Sequence, residues 1–83
     1  MKIRFKLYAT LQGYLPEGAK QNQVELELED GVTPADLAQR YNLPPKLVHL
    51  VLVNGVYLYP EQRDKQVLHE GDVLAIWPPV AGG

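Results

Sequence analysis

The pair Asn54-Gly55, set between Leu50-Val51-Leu52-Val53 and Val56-Tyr57-Leu58-Tyr59, constrains the fold of this chain more than any other stretch. Two apolar arms joined by two residues make a hairpin, and its type I′ turn needs positive φ at both central residues, which asparagine and glycine tolerate best. Pro60 has no N–H for a ladder, so the second arm is expected to be a brief edge strand. A further apolar run, Val73-Leu74-Ala75-Ile76-Trp77, is stopped in the same way by Pro78-Pro79.

Two other segments alternate. In Lys2 to Ala9, Ile3, Phe5 and Leu7 share one face, while Lys2, Arg4, Lys6 and Tyr8 share the other. In Gln23 to Glu29, Val24, Leu26 and Leu28 point inward, and Gln23, Glu25, Glu27 and Glu29 point outward. Both read as half-buried strands. Their outer faces carry opposite charge, which suits an antiparallel pair. Thr10 to Asn22, with Gly13, Pro16 and Gly18, reads as a loop with room for one helical turn.

Asp30-Gly31 leads into a helix start. Thr33 is placed as N-cap, Pro34 suits the first helical position, and Asp36 at the third can bond back to the cap. Val32 and Leu37 are spaced as a hydrophobic staple. The helix is expected to run through Leu37, Ala38 and Tyr41 and to stop at Asn42-Leu43-Pro44-Pro45, with a short turn over Lys46 to His49. Leu37 and Tyr41 should lie across the inward face of the sheet.

This order of elements gives an α+β fold of the β-grasp (ubiquitin-like) type: a four- to five-stranded mixed sheet with one main helix across one face. The first and last strands should be parallel neighbours at its centre. Residues 1–77 form the domain, and 78–83 a flexible C-terminal tail. One helix covers one face only, yet the hairpin arm and the last strand are apolar on both. Leu50, Leu52, Ala75 and Trp77 are therefore expected to form a partner-docking patch on the open face, beside the root of the tail. The alternative is that loops fold over it.

Composition removes several function classes. Eighty-three residues make one small domain. Eight basic against ten acidic residues give a net charge of −2 with no basic cluster, which argues against a nucleic-acid footprint. No apolar run reaches membrane-spanning length, and Met1-Lys2-Ile3-Arg4 begins a strand rather than a signal peptide, so a cytoplasmic location is expected. There is no cysteine, hence no disulfide, no thiolate metal site and no side-chain sulfur nucleophile. His49 and His69 lack companions at metal-ligand spacing, and neither a metal nor a bound cofactor is expected. Lys20, Lys46 and Lys65 are possible conjugation acceptors that nothing marks out.

The C-terminal residues carry the remaining signal. Pro78-Pro79 forms a stiff lead, Val80-Ala81 follows, and Gly82-Gly83 has no Cβ, so the backbone and its carboxylate can enter a channel too narrow for side chains. Small residues are also common at frayed chain ends. Any sulfur chemistry falls to the terminal carboxylate.

Taken together, Val53-Asn54-Gly55, Leu68 with Gly71-Asp72-Val73, and the ending Pro78-Pro79-Val80-Ala81-Gly82-Gly83 resemble the ubiquitin-like sulfur-carrier family, most closely the molybdopterin synthase small-subunit branch. The resemblance implies that Gly83 is adenylated by a ubiquitin-activating-type adenylyltransferase consuming ATP, then converted to a thiocarboxylate with sulfur from a donor enzyme. It implies that Pro78, Pro79, Val80, Ala81 and Gly82 are inserted into a large subunit, where the sulfur passes to a pterin precursor. Such a chain is a carrier rather than an enzyme on its own. Two segments depart from the branch. Ala9-Thr10-Leu11-Gln12-Gly13 stands where Ala-Arg-Leu-Arg is common, and Tyr14 to Gln23 is particular to this chain. Relatives in thiamin thiazole formation, tRNA thiolation, tungsten cofactor assembly or protein conjugation also keep both glycines. A noncovalent β-grasp interaction domain is the alternative from another class.

Overall fold

The computed structural model describes residues 1–80; the expectations placed on Ala81, Gly82 and Gly83 lie outside them. Strand β1, Lys2–Leu7, follows its alternation, with Ile3, Phe5 and Leu7 buried and Lys2 and Arg4 exposed. It ends before the expected Ala9, because Ala9 turns to φ 52° and opens a 3₁₀ turn over Ala9–Tyr14 that buries Leu11. Strand β2, Gln23–Glu27, pairs antiparallel with β1, setting Lys2 opposite Glu27 and Arg4 opposite Glu25. The expected cross-strand charge pairs are replaced by close neighbours: Arg4 Nη1 donates to Gln23 Oε1 at 3.0 Å, and the terminal amine lies 3.4 Å from Glu27.

Helix α1, Pro34–Arg40, starts on a complete capping box. Thr33 Oγ1 accepts from Asp36 N at 3.2 Å, and Asp36 Oδ2 accepts from Thr33 N at 3.0 Å. Its end is a Schellman turn: Asn42 sits at φ 60°, Leu43 N donates to Ala38 O at 2.9 Å, and Leu43 is buried in the accompanying apolar contact. Leu37 is fully buried and Tyr41 packs on Phe5 with ring centroids 5.5 Å apart, which sets the helix across the sheet as its spacing requires. Burying Leu37 contributes about 1.5–3 kcal/mol. A 3₁₀ turn at Pro45–Leu47 then leads to strand β3, Leu50–Val53.

Asn54 at φ 52° and Gly55 at φ 82° form the expected turn into β4, which is only Val56–Tyr57. Leu58 N still reaches Val51 O at 2.8 Å before Pro60 begins the 3₁₀ turn Pro60–Gln62. Strand β5, Val73–Trp77, completes a five-stranded sheet of order β2-β1-β5-β3-β4. It lies parallel to β1, with Leu7 beside Ile76, and antiparallel to β3, with Leu50 beside Trp77. The final strand is therefore central, and the chain leaves the fold from the middle of the sheet.

Candidate functional site

Alternation and register decide which side chains surround that exit. Val51, Val53, Leu74 and Ile76 face α1 and are buried. The intervening residues occupy the open face, where Leu50 stands beside Trp77, and Leu52 beside Ala75. The four residues singled out in the sequence thus form one block across β3 and β5. They do not contribute alike. Leu50, Leu52 and Trp77 are half-buried, but Ala75 is 7% exposed, because its short side chain lies in register between the longer Lys6 and Leu52. Ala75 is accordingly the floor of the block and offers a partner little surface.

Tyr8, on the same outer face of the first strand's segment, stacks on Trp77 with centroids 4.0 Å apart and planes 7° from parallel. Tyr8 N also donates to Ile76 O at 3.1 Å. Sequence alternation had Tyr8 outward without linking it to Trp77; carrying the parallel β1–β5 pairing one residue past Leu7 would have done so. On the other flank, Tyr57 stands opposite Leu52 and is 37% exposed, and its ring meets that of Tyr59 edge-on with centroids 5.0 Å apart. These aromatic residues widen the apolar block in a direction the four named residues did not indicate.

The tail root is held at two points. Trp77 O accepts from His49 N at 3.1 Å, and Pro78 is buried. Pro78, assigned to the tail from sequence, therefore belongs to the packed domain; its ring is apolar and its neighbour Trp77 is still anchored to His49. The exposed lead begins at Pro79, and Val80 is 81% exposed. Among the described residues, no group of three or more His, Cys, Asp or Glu side chains is placed to hold a metal ion, and no helix is long and apolar enough to cross a membrane. The surroundings of the exit offer stacking, apolar contact and the adjacent cation of Lys6.

The family model described as the ThiS family matches residues 9–83. The chain belongs to the ThiS family. Membership covers all but the first eight residues and agrees with the ubiquitin-like sulfur-carrier resemblance carried by the hairpin, the Gly71-Asp72 turn and the C-terminal residues. Solved structures share its fold. SAMP1 from Haloferax volcanii is 24% identical with a TM-score of 0.68, each chain covered in full. A putative molybdopterin converting factor, subunit 1, from Pyrococcus furiosus is 24% identical with a TM-score of 0.65, over 95% of this chain and 98% of that one. A complex of subunits 1 and 2 of molybdopterin-converting factor from Helicobacter pylori 26695 contains a chain 18% identical, TM-score 0.60, with both chains fully covered. At these identities the likeness establishes the β-grasp of this ThiS-family chain. A comparison with curated proteins returns no match.

Proposed function

We propose that this ThiS-family protein carries sulfur on the C-terminal carboxyl of Gly83. The observation that supports this reading most is the exit geometry: the central strand β5, anchored to His49 and stacked through Trp77 on Tyr8, runs by way of buried Pro78 into exposed Pro79 and Val80. Small carriers of this family are not catalytic themselves, and the globule's part is to hold an end that other enzymes charge. A carboxylate is a poor electrophile. Attack of a Gly83 oxygen on the α-phosphorus of ATP gives an acyl adenylate and releases pyrophosphate. A sulfide-level nucleophile then adds to the carbonyl and expels AMP, leaving a thiocarboxylate with one sulfur in place of one oxygen; a persulfide donor needs a thiol reductant in addition. A ubiquitin-activating-type adenylyltransferase and a sulfur-donor enzyme are the proposed partners for these two steps, in the cytoplasm.

For the discharge step we place the protein as the small subunit of a molybdopterin synthase, with residues 79–83 entering a large subunit; the thiocarboxylate sulfur attacks a pterin precursor, and water then cleaves the acyl C–S bond of the resulting thioester, leaving the sulfur on the pterin and returning the Gly83 carboxylate. The lead-in Pro78-Pro79-Val80-Ala81 supports this branch, as does the fold shared with a subunit 1 of molybdopterin converting factor and with a chain of a complex of its subunits 1 and 2. Intact mass after incubation with an activating enzyme, ATP and a sulfur donor tests the proposal. Exchange of one oxygen for one sulfur at the terminus is the expected result. Adducts of higher mass on lysines would make the protein a modifier instead, and an unchanged mass would leave a noncovalent interaction domain.

A further inference from the structure

A groove of about 670 Å³ lies on the helix side of the sheet, away from the Tyr8–Trp77 stack. Its floor includes Val51 and Ile76, the buried sheet residues that face α1. One wall is a stripe of the helix. Ala35, Ala38, Gln39 and Asn42 fall at i, i+3, i+4 and i+7, beside the stripe that buries Leu37 against the sheet. The two alanines keep the groove open, since longer side chains at those positions would fill it. Pro44, Pro45 and Val48 form the other wall, and Pro34 and Pro60 complete a lining with four prolines. Their fixed φ holds the walls in shape without a ligand, so little ordering is lost when one binds. The size suits a few residues of peptide.

Arg63 is the one charged residue of that lining, half-buried, held rigidly and yet unneutralised. Its Nε donates to Leu58 O at 3.0 Å, and its Nη2 donates to His49 O at 3.2 Å and to the Tyr57 hydroxyl at 3.3 Å. The guanidinium also lies 5.8 Å from the Tyr57 ring centroid. Every acceptor is neutral. Arg63 makes no ion pair among the described residues, and its Nη1 has no acceptor there. A guanidinium already fixed by three bonds loses little freedom on meeting a carboxylate, and Nη1 is left to make the new bond.

We propose that this groove docks a segment of a partner protein: a short apolar run followed by a carboxylate side chain, the apolar run along Ala35, Ala38 and Val48 and the carboxylate at Arg63. Charge complementarity selects the acidic end, because a basic segment would meet an uncompensated cation. The amides decide for peptide over a hydrocarbon ligand. Gln39 and Asn42 are exposed on the groove's helix wall, and each side chain can both donate to and accept from a peptide backbone. The position has a consequence. The sheet separates the groove from Leu50 and Trp77, so both faces can be occupied at once. Arg63 bonds His49 O, and His49 N bonds Trp77 O, so one residue links the groove to the root of the tail. A partner seated there would hold the globule from behind while Pro79 and Val80 stay accessible. The inference goes beyond the sulfur-carrier reading and does not depend on it.

The test is an amide NMR titration of the full chain with two synthetic peptides, Ac-Leu-Val-Leu-Glu-NH₂ and its neutral isostere Ac-Leu-Val-Leu-Gln-NH₂. The glutamate peptide should shift the amides of Ala35, Ala38 and Val48, leave those of Tyr8 and Leu52 in place, and bind at least about threefold tighter than the glutamine peptide. Arg63→Gln should bring the two affinities together, and Arg63→Lys, which keeps the charge, should retain part of the preference. Ala38→Leu, which fills the groove with a strong helix former, should weaken both peptides alike by at least about fivefold. The spectrum of each variant without peptide shows whether it is folded. Absence of shifts at millimolar peptide overturns the proposal, as do equal affinities for the two peptides or a preference that survives Arg63→Gln. Shifts at Tyr8 and Leu52 instead would place the peptide on the open face. Shifts at Ala35 and Ala38 on tenfold dilution without peptide would give the groove to a second copy, and either result also overturns it. No activating enzyme is involved, so this result and that of the mass experiment fail independently.

Discussion

Asn54 and Asp72 clasp the two turns on either side of the sheet's centre: Asn54 Nδ2 donates to Asp72 Oδ1 at 2.8 Å, while Asn54 Oδ1 accepts from Val73 N at 2.8 Å. Asp72 Oδ2 accepts from His69 N, also at 2.8 Å, and Asp72 O accepts from Arg4 N at 2.9 Å. One asparagine thereby serves the β3–β4 turn through its positive φ and fixes the start of β5 through its amide. The strand that delivers the tail begins at this clasp.

Replacing Asn54 separates the two roles. Asn54→Gly keeps the turn geometry and loses two side-chain bonds, which should cost about 1–2 kcal/mol. Asn54→Asp sets a second carboxylate against Asp72 Oδ1, so it should cost more at neutral pH than in acid, where protonation relieves the repulsion. Urea unfolding of the three proteins at both pH values measures this. Equal losses at both pH values would mean that the carboxylates do not meet.

The Glu29–Arg40 pair predicts a pH dependence. Arg40 donates to both Glu29 oxygens, through Nη1 to Oε1 at 3.1 Å and through Nη2 to Oε2. The Arg40 hydrogen bond is the largest cause lowering the Glu29 carboxyl from 4.5 to about 2. A folded-state value below the unfolded one means that the stabilisation is complete above about 4.5 and is lost as pH falls toward about 2. Both groups are exposed, so the effect should be small and should shrink with salt. Glu29→Gln should flatten the acid limb of a stability–pH curve within that window, with low salt giving the larger difference.

Thr33 is the buried polar residue of the core rim, 6% exposed, and half of the capping box. Thr33→Ala should cost about 1 kcal/mol, and Thr33→Ser, which keeps the oxygen, distinctly less. Thermal unfolding of both variants checks the difference; equal losses would place the contribution in the methyl group.

What was legible in the sequence follows from how local each signal is. The Asn54-Gly55 turn needs two adjacent residues and the Thr33–Asp36 box a window of four, and the structure has both. Ala9 at φ 52° has no local signal, since alanine is not a residue that favours that region, so β1 reads two residues too long. The burial of Ala75 depends on the size of neighbours brought in by register, Lys6 and Leu52, and that of Pro78 on tertiary packing around a strand end held by His49. Arg63 was invisible for the same reason: its partners Leu58, His49 and Tyr57 converge only after the hairpin and the Pro60–Gln62 turn are folded. The tail's chemistry was read from composition at the chain end, whereas the surface around its root required the strand order.

Deleting Gly83 should abolish charging while leaving stability unchanged, because the lead toward it is already exposed at Pro79 and Val80. Gel-based or mass detection of the thiocarboxylate, run beside thermal unfolding, reads both quantities. A drop in melting temperature of several degrees would indicate that the end is part of the globule.

The Tyr8–Trp77 stack should matter more to partner binding than to folding. An aromatic pair adds about 0.5–1.5 kcal/mol beyond its buried area, and both rings here remain partly open to solvent. Tyr8→Ala should therefore lower stability modestly. At an interface the same aromatic surface, beside Leu50 and the root of the tail, has the character of an anchor, whose truncation costs at least about 2 kcal/mol, or roughly thirtyfold in affinity. Trp77 is the chain's single tryptophan, so its fluorescence reports partner docking directly. Tyr8→Ala titrated with the activating enzyme should show the affinity loss, whereas Trp77→Phe, which keeps an aromatic ring in the stack, should charge nearly normally. If Tyr8→Ala binds and charges as the wild type does while its stability falls, the stack is a structural brace and the partner docks elsewhere on the molecule.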